Sequence, residues 1–246
     1  MTEYLYFLSI GHVLGDFYFQ TDRMARAKEK RFAGVVYHSL EYLVVMLAVS
    51  VPIMSPGAVL AAAALAVLHF LIDAGKFKLV RMFRIRRRDM VFIWDQVCHV
   101  LTIFAVSYMM YCLQVKVEVI KPLGDAFAAF GTDPQMLAKW VLSLLVLHVP
   151  SNIFIQILLA DGRPKETRRD RGVMDDGVGK RIGTIERLIM LMFISMDQYS
   201  AMGLVLTAKS IARFEKISKE QAFAEYYLMG TLLSTALVVA CKLIIL

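Results

Sequence analysis

Six stretches of this chain are apolar over enough residues to cross a bilayer, and no other feature limits the fold as strongly. A spanning helix needs about 20 mainly apolar residues, each rising 1.5 Å. The stretches are 4–20, 33–54, 57–76, 90–113, 137–160 and 226–246. In hydrocarbon every backbone polar group must be paired within the chain, so such runs predict helices. Composition agrees: of 246 residues 58% are hydrophobic and only 20% charged, which excludes a disordered chain and an ordinary cytosolic enzyme. The three scattered cysteines, Cys98, Cys112 and Cys241, show no disulfide or metal spacing and read as small hydrophobes. No basic region precedes the first run, which carries His12 and Asp16, so it reads as a span rather than a cleavable signal. The expected fold is an all-α polytopic transmembrane helical bundle with about six spans.

Lysine and arginine in the short loops set orientation. Residues 21–31 carry five basic groups, and residues 76–88 carry seven with no acid. Residues 161–182 carry seven basic and five acidic groups, whereas 114–136 has two basic against three acidic. The first loop is therefore expected inside and the N-terminus outside. The net charge of +7 reports this topology and not nucleic-acid binding. Residues 209–219, with Lys209, Arg213, Lys216 and Lys219, also look cytoplasmic. A single crossing between 161–182 and 209–219 conflicts with that. The run 185–212 is broken at Met196-Asp197-Gln198-Tyr199-Ser200. Each half has about 14 residues and reaches about 21 Å, short of the ~30 Å core. Residues 183–213 are accordingly expected to form a re-entrant helical hairpin, with one tilted span as the alternative. Residues 1–115 would be a four-helix membrane core, and 116–246 the remaining membrane helices with the charged cytoplasmic loop 161–182, in one integral membrane domain.

Ionisable residues inside spans are expensive and suggest function. Here they come in pairs four apart: His12 with Asp16, His69 with Asp73, and Asp95 with His99. Residues i and i+4 share one helix face. His38 adds a fourth imidazole, and Gln20, Lys76 and Gln96 lie near the pairs. With the orientation above, all seven groups fall in the cytoplasmic half of four antiparallel helices. Bundles build metal sites from such inward-facing carboxylates and histidines. Four imidazoles with three carboxylates suit Zn²⁺, Mn²⁺ or Fe²⁺, as one ion or a dinuclear pair, better than Ca²⁺ or Mg²⁺ alone. A bound metal would activate water and polarise a phosphoryl or carbonyl oxygen. Hydrogen-bonded glue between helices and a proton path are the competing readings. The two hairpins, 12–38 and 69–99, form a weak parallel pseudo-repeat.

A second polar layer lies in the last third: Glu186, Arg187, Lys209, Arg213, Glu225 and Tyr226. Arg187, Lys209 and Arg213 are candidates for holding an anionic group, with interfacial snorkelling as the alternative. His148 lies near Pro150 and Asn152, and either His148 or Asn152 is expected to satisfy the groups that the proline frees. Residues 172–183 bear glycines but do not fit a phosphate-loop pattern.

His12-Val-Leu-Gly-Asp16-Phe with Gln20, Lys28 to Lys30, His38, His69-x3-Asp73-x2-Lys76 and Asp95-Gln96-x2-His99 together resemble the bacterial membrane family known as domain of unknown function 3307. Ile185-Glu186-Arg187-Leu188, Ala208-Lys209-Ser210, Arg213-Phe214, and Glu225-Tyr226 through Gly230-Thr231-Leu232 resemble C-terminal parts of such proteins. The resemblance implies the bacterial inner membrane and no particular activity. More distantly, His12-x2-Gly15-Asp16 is similar to a motif of the zinc-dependent phospholipase C and nuclease P1 group, and resembles metal-dependent hydrolases of bacterial inner membranes. That likeness implies a helical, metal-dependent phosphoesterase. The chain departs from it in having Tyr18 and Gln20 where those enzymes place a further histidine, and in lacking their tryptophan-bearing N-terminus.

The functional expectation is a metal site near the cytoplasmic face that hydrolyses a lipid or amphipathic phosphoester. His12, Asp16, His38, His69, Asp73, Asp95 and His99 would bind metal. Asp16, Asp73, Asp95 and Lys76 would serve catalysis, and Arg187, Lys209 and Arg213 would hold the anion. The bilayer is the expected partner, and no nucleic acid is expected. A metal-ion or proton-coupled transporter and a non-catalytic sensor or assembly protein are the rival classes. A haem protein fits poorly, because aspartates beside the histidines make poor axial partners.

Overall fold

The computed structural model describes residues 2–53, 55–85, 87–115, 119–160, 162 and 176–246. All regular structure among these residues is helical. Helix α1 (Thr2–Val13) runs into a π-helical stretch, Leu14–Phe19, and then α2 (Asp22–Lys30). Four long helices follow with one short one between: α3 (Phe32–Ser50), α4 (Pro56–Met82), α5 (Arg88–Cys112), α6 (Lys121–Ala129) and α7 (Pro134–Leu158). The chain ends with α8 (Asp176–Ser195), α9 (Tyr199–Ala212), α10 (Phe214–Lys219) and α11 (Gln221–Ile244). Helices α3, α4, α5, α7 and α11 are long and apolar enough to cross a membrane. They match five of the six expected spans and fit an integral membrane protein. The sixth is realised differently. Helix α1 alone reaches about 18 Å, and the π-helical stretch completes the run.

The chain forms two compact units, Met1–Leu142 and Ser143–Leu246. In the first unit α3 packs on α4, α4 on α5, and α1 on both α3 and α5. Each of the four presents a buried stripe at helical spacing. On α1 and the π-helical stretch it is Tyr4, Leu8, His12 and Asp16. On α3 it is Val35, His38, Tyr42 and Met46; on α4 Ala58, Ala62, Leu65, His69 and Asp73; on α5 Asp95, His99, Ile103, Val106 and Met110. The stripes on α1, α4 and α5 are apolar at one end and ionisable at the other, and that on α3 carries His38 one turn from its start. The alanines on α4 let its neighbours approach closely, which is how helices associate without a hydrophobic drive between them. Large apolar residues on the opposite faces, such as Tyr37, Val44, Leu60, Val67, Leu101 and Tyr108, are exposed, as lipid-facing positions require.

The loops sort to the two ends of this unit as their charge predicts. At the apolar end the Ile120 amide donates to the Pro52 carbonyl at 2.9 Å, joining two segments expected outside. At the ionisable end Arg81 donates to the Lys30 carbonyl at 3.5 Å and Arg88 approaches Glu29 at 4.0 Å, joining the two basic loops expected inside.

In the second unit α8 packs on α9 and α11, and α10 on α11. The break between α8 and α9 falls at Met196–Gln198, and Asp197 takes φ of 57°, a left-handed conformation that aspartate tolerates. Across this break Lys209 Nζ lies 2.6 Å from Glu186 Oε2, so residues 183–213 turn back as a helical hairpin rather than running as one tilted span, the first arm starting at Asp176. Residues 161 and 163–175, most of the charged loop 161–182, lie outside the described residues. Pro150 sits inside α7 without breaking it. Its missing N–H leaves the Val146 carbonyl unpaired in the helix, and the Ser151 hydroxyl donates there at 2.8 Å. The neighbouring Leu147 carbonyl accepts from Arg187 Nε at 2.7 Å. Ser151 and Arg187 thus take the part expected of His148 or Asn152.

Candidate functional site

The ionisable residues of the four stripes converge. Three helices bring a His/Asp pair and α3 brings His38 to the same level, because these residues lie on the buried stripes. The π-helical stretch widens the first helix at Asp16, a distortion that frequently accompanies functional sites. Gly15 within it is required by packing: a Cβ there would stand 2.7 Å from Tyr42 Cδ2.

His38, His69 and Asp73 are fully buried, and His12, Asp16, Asp95 and His99 are nearly so. His38 Nε2 lies 3.0 Å from Asp16 Oδ1, 3.1 Å from His69 Nε2 and 3.7 Å from Asp73 Oδ2. His69 Nε2 is 3.9 Å from Asp16 Oδ1 and 3.5 Å from Asp73 Oδ2. In this first group His38 Nε2 and His69 Nε2 thus each lie within 4 Å of an oxygen of Asp16 and of an oxygen of Asp73. Two ligands about 2.0–2.1 Å from a tetrahedral Zn²⁺ stand about 3.3–3.4 Å apart, the middle of this range. A second group adjoins it. His99 Nε2 is 3.5 Å from Asp95 Oδ1 and 4.0 Å from Asp73 Oδ1. Asp73 therefore turns one oxygen to each group. Three overlapping triads meet metal-ligand spacing: Asp16–His38–His69, His69–Asp73–His99 and Asp16–Asp95–His99.

His12 is the one expected ligand that joins none of these triads. Its Nδ1 lies 3.2 Å from the Tyr42 hydroxyl. Its Nε2 is buried without a hydrogen-bond partner among the described residues, and its ring lies 5.2 Å from that of His99. Tyr42 also stacks on His69 at 3.8 Å between ring centroids, with His99 stacked on the other face at 4.2 Å. The His69 ring is held flat between them.

Two lysines close the cluster. Lys76 Nζ bridges Asp73 Oδ1 at 2.8 Å and Asp95 Oδ1 at 2.7 Å. Lys28 Nζ reaches Asp73 Oδ2 at 2.8 Å and Asp16 Oδ1 at 3.6 Å. Gln96 Nε2 donates to Asp16 Oδ2 at 3.2 Å. Lys76 and Gln96 are near the pairs as the sequence suggests. Lys28 was legible as loop charge and within the Lys28–Lys30 stretch of the family resemblance but not as a site residue, since α2 buries no side chain fully and nothing local shows that this lysine turns inward. Tyr42 and Glu41 were also missed. Their signal was the spacing His38-x2-Glu41-Tyr42, which puts both one turn from His38. With neutral imidazoles, Asp16, Asp73, Asp95 and Glu41 exceed the two lysines by two negative charges, the charge of one divalent cation.

Arg187, Lys209 and Arg213 belong to the second unit, and all seven histidines and aspartates to the first. Arg187 is buried, and beyond Leu147 its guanidinium donates to Asn152 Oδ1 at 2.7 Å, Thr184 Oγ1 at 3.3 Å and Ser234 Oγ at 3.4 Å. Lys209 pairs with Glu186 at 2.6 Å, and Arg213 is exposed between α9 and α10.

Residues 4–123 match the family model described as protein of unknown function (DUF3307). The match contains all seven histidines and aspartates together with Lys28 and Lys76. It ends before the C-terminal stretches that also looked similar, so the shown likeness covers about half of the chain and not most of it. No curated protein and no solved structure matches the chain.

Proposed function

We propose that this protein is a bacterial inner-membrane metalloprotein whose first helical unit binds a divalent transition metal, Zn²⁺, Mn²⁺ or Fe²⁺, and that the site hydrolyses a lipid or other amphipathic phosphoester. The observation that carries the metal reading is that His38 Nε2 and His69 Nε2, 3.1 Å apart, each lie 3.0–3.9 Å from Asp16 Oδ1 and from Asp73 Oδ2. Lone pairs of nitrogen and oxygen facing one another this closely repel unless a proton or a cation lies between them. Asp73, with one oxygen at each group, fits a bridging carboxylate if two ions bind.

A divalent metal supplies Lewis acidity and lowers the pKa of a bound water towards ~7. The chain's own residues do the rest. Asp16 and Asp95 accept hydrogen bonds at the edge of the cluster, where one of them can take a proton from water. Lys76, 23% exposed at its side chain, is the cation best placed to meet an incoming phosphoryl oxygen. Arg187 has most of its donors committed to protein groups, which favours Lys28 and Lys76 over the second unit for that role.

The test is metal content by mass spectrometry on the detergent-purified chain, beside His69→Ala/Asp73→Ala. One or two equivalents of a transition metal in the parent and loss in the folded variant support the site. A screen of phosphoesters on the loaded protein then tests hydrolysis. No stoichiometric metal in a folded parent that has been offered each of the three ions sinks the reading.

Burial favours one rival. The cluster is closed except beside the two lysines, as suits a cation or proton path better than a wide substrate cleft. Flux of the metal into liposomes without ester turnover would establish transport instead.

A further inference from the structure

Outside the ligand triads, one carboxylate stands behind a histidine of the site. His38 turns Nε2 into the cluster and Nδ1 away from it, towards Glu41 Oε2 at 3.6 Å. Both Nδ1 and Oε2 are buried without a hydrogen-bond partner among the described residues. Glu41 lies one turn along α3, within a candidate membrane span, and its side chain is 22% exposed. A carboxylate in a span is costly unless it has a partner, and His38 is the ionisable group beside it.

The chemistry of an imidazole ligand accounts for the pairing. To offer Nε2 as a lone pair, neutral His38 must carry its proton on Nδ1. A carboxylate beside Nδ1 favours that tautomer, fixes the ring and makes Nε2 more basic. Tyr42 stands in a related position to His12, its hydroxyl 3.2 Å from Nδ1, but a neutral phenol does not supply charge. Glu41 is the charged member of this outer layer.

We infer that Glu41 is a positioning residue that holds His38 in the Nδ1-protonated tautomer and so tunes the metal site, an inference that rests on the metal-binding reading above. Removing such an outer carboxylate typically weakens metal affinity by about 10–100-fold.

The experiment is a Co²⁺ titration of the full chain in detergent, read both as affinity and as the visible d–d absorption of the bound ion. Glu41→Gln keeps the shape and removes the charge. The expected result is weakening of about 10–100-fold together with shifted d–d bands. Glu41→Asp keeps the charge but withdraws it, and is expected to weaken binding less; it carries the test if the glutamine variant does not fold. Parent-like affinity and bands in folded Glu41→Gln, or in folded Glu41→Asp when it is the variant tested, overturn the role of Glu41 and leave the metal site standing. Absence of Co²⁺ binding in the folded parent overturns both.

Discussion

At the scale of single residues, two polar clusters solve the same problem in opposite ways. In the second unit Arg187 is buried, and its guanidinium is committed to a carbonyl beside Pro150 and to neutral side chains. Arg187→Ala would strand the Leu147 carbonyl and Asn152 Oδ1. Each unpaired buried acceptor costs about 1–3 kcal/mol, so stability should fall by about 2–6 kcal/mol, read as a lowered unfolding midpoint in detergent. Metal content should not change. In the first unit the carboxylates Asp16, Asp73, Asp95 and Glu41 outnumber the two lysines beside them, which is where a cation is wanted. The spacing of His12, Asp16, His69, Asp73, Asp95 and His99 was enough to find that excess from sequence. Lys28, Tyr42 and Glu41 were not found, because their roles depend on which way one side chain turns.

Among the elements, α2 has the least conventional attachment. It buries none of its side chains fully, and its N-terminus is capped by Thr21 Oγ1, which accepts from the Met24 amide at 3.3 Å. What docks it is Gly34 on α3, where a Cβ would run into the backbone of Ala27 and Lys28. Close backbone approach there is what lets Lys28 reach Asp73. Gly34→Val should displace α2 and withdraw Lys28 while the long helices persist. Trypsin cleavage at Arg23, Arg26 or Lys30 should then accelerate; weakening by about 1.4 kcal/mol corresponds to tenfold when opening is in rapid equilibrium. An unchanged cleavage rate would mean that α2 is held by something other than this contact. The π-helical stretch at Leu14–Phe19 could not be read from sequence either, since Gly15 is compatible with an ordinary helical turn.

For the whole molecule the question is which way the chain lies in the membrane. Basic loops 21–31 and 76–88 meet at the end of the first unit that holds the cluster, and the Pro52 and Ile120 segments meet at the other. A positive-inside orientation would put the histidines and aspartates near the cytoplasmic leaflet and the N-terminus outside. Single cysteines introduced at Arg26 and Arg84, in a background without Cys98, Cys112 and Cys241, should be shielded from an impermeant thiol reagent in intact cells. Cysteines at Ser55 and Asp125 should react. Labelling of the first pair and protection of the second would invert the orientation and put the cluster at the outer face.

By itself the sequence determined the helical class, five of the long apolar helices, the hairpin broken at Asp197 and six side chains that meet in the triads. The physical reason is that these are local or periodic properties: length of apolar run, i,i+4 spacing, and loop charge. Only the tertiary structure decided that His12 hydrogen-bonds Tyr42 instead of joining a triad, and that Asp73 faces two groups at once. It also decided that Lys28 closes the cluster and that Arg187 serves the proline in α7. Those outcomes depend on distances between helices far apart in sequence, which small residues such as Gly15, Gly34 and the alanines of α4 set by letting backbones come together.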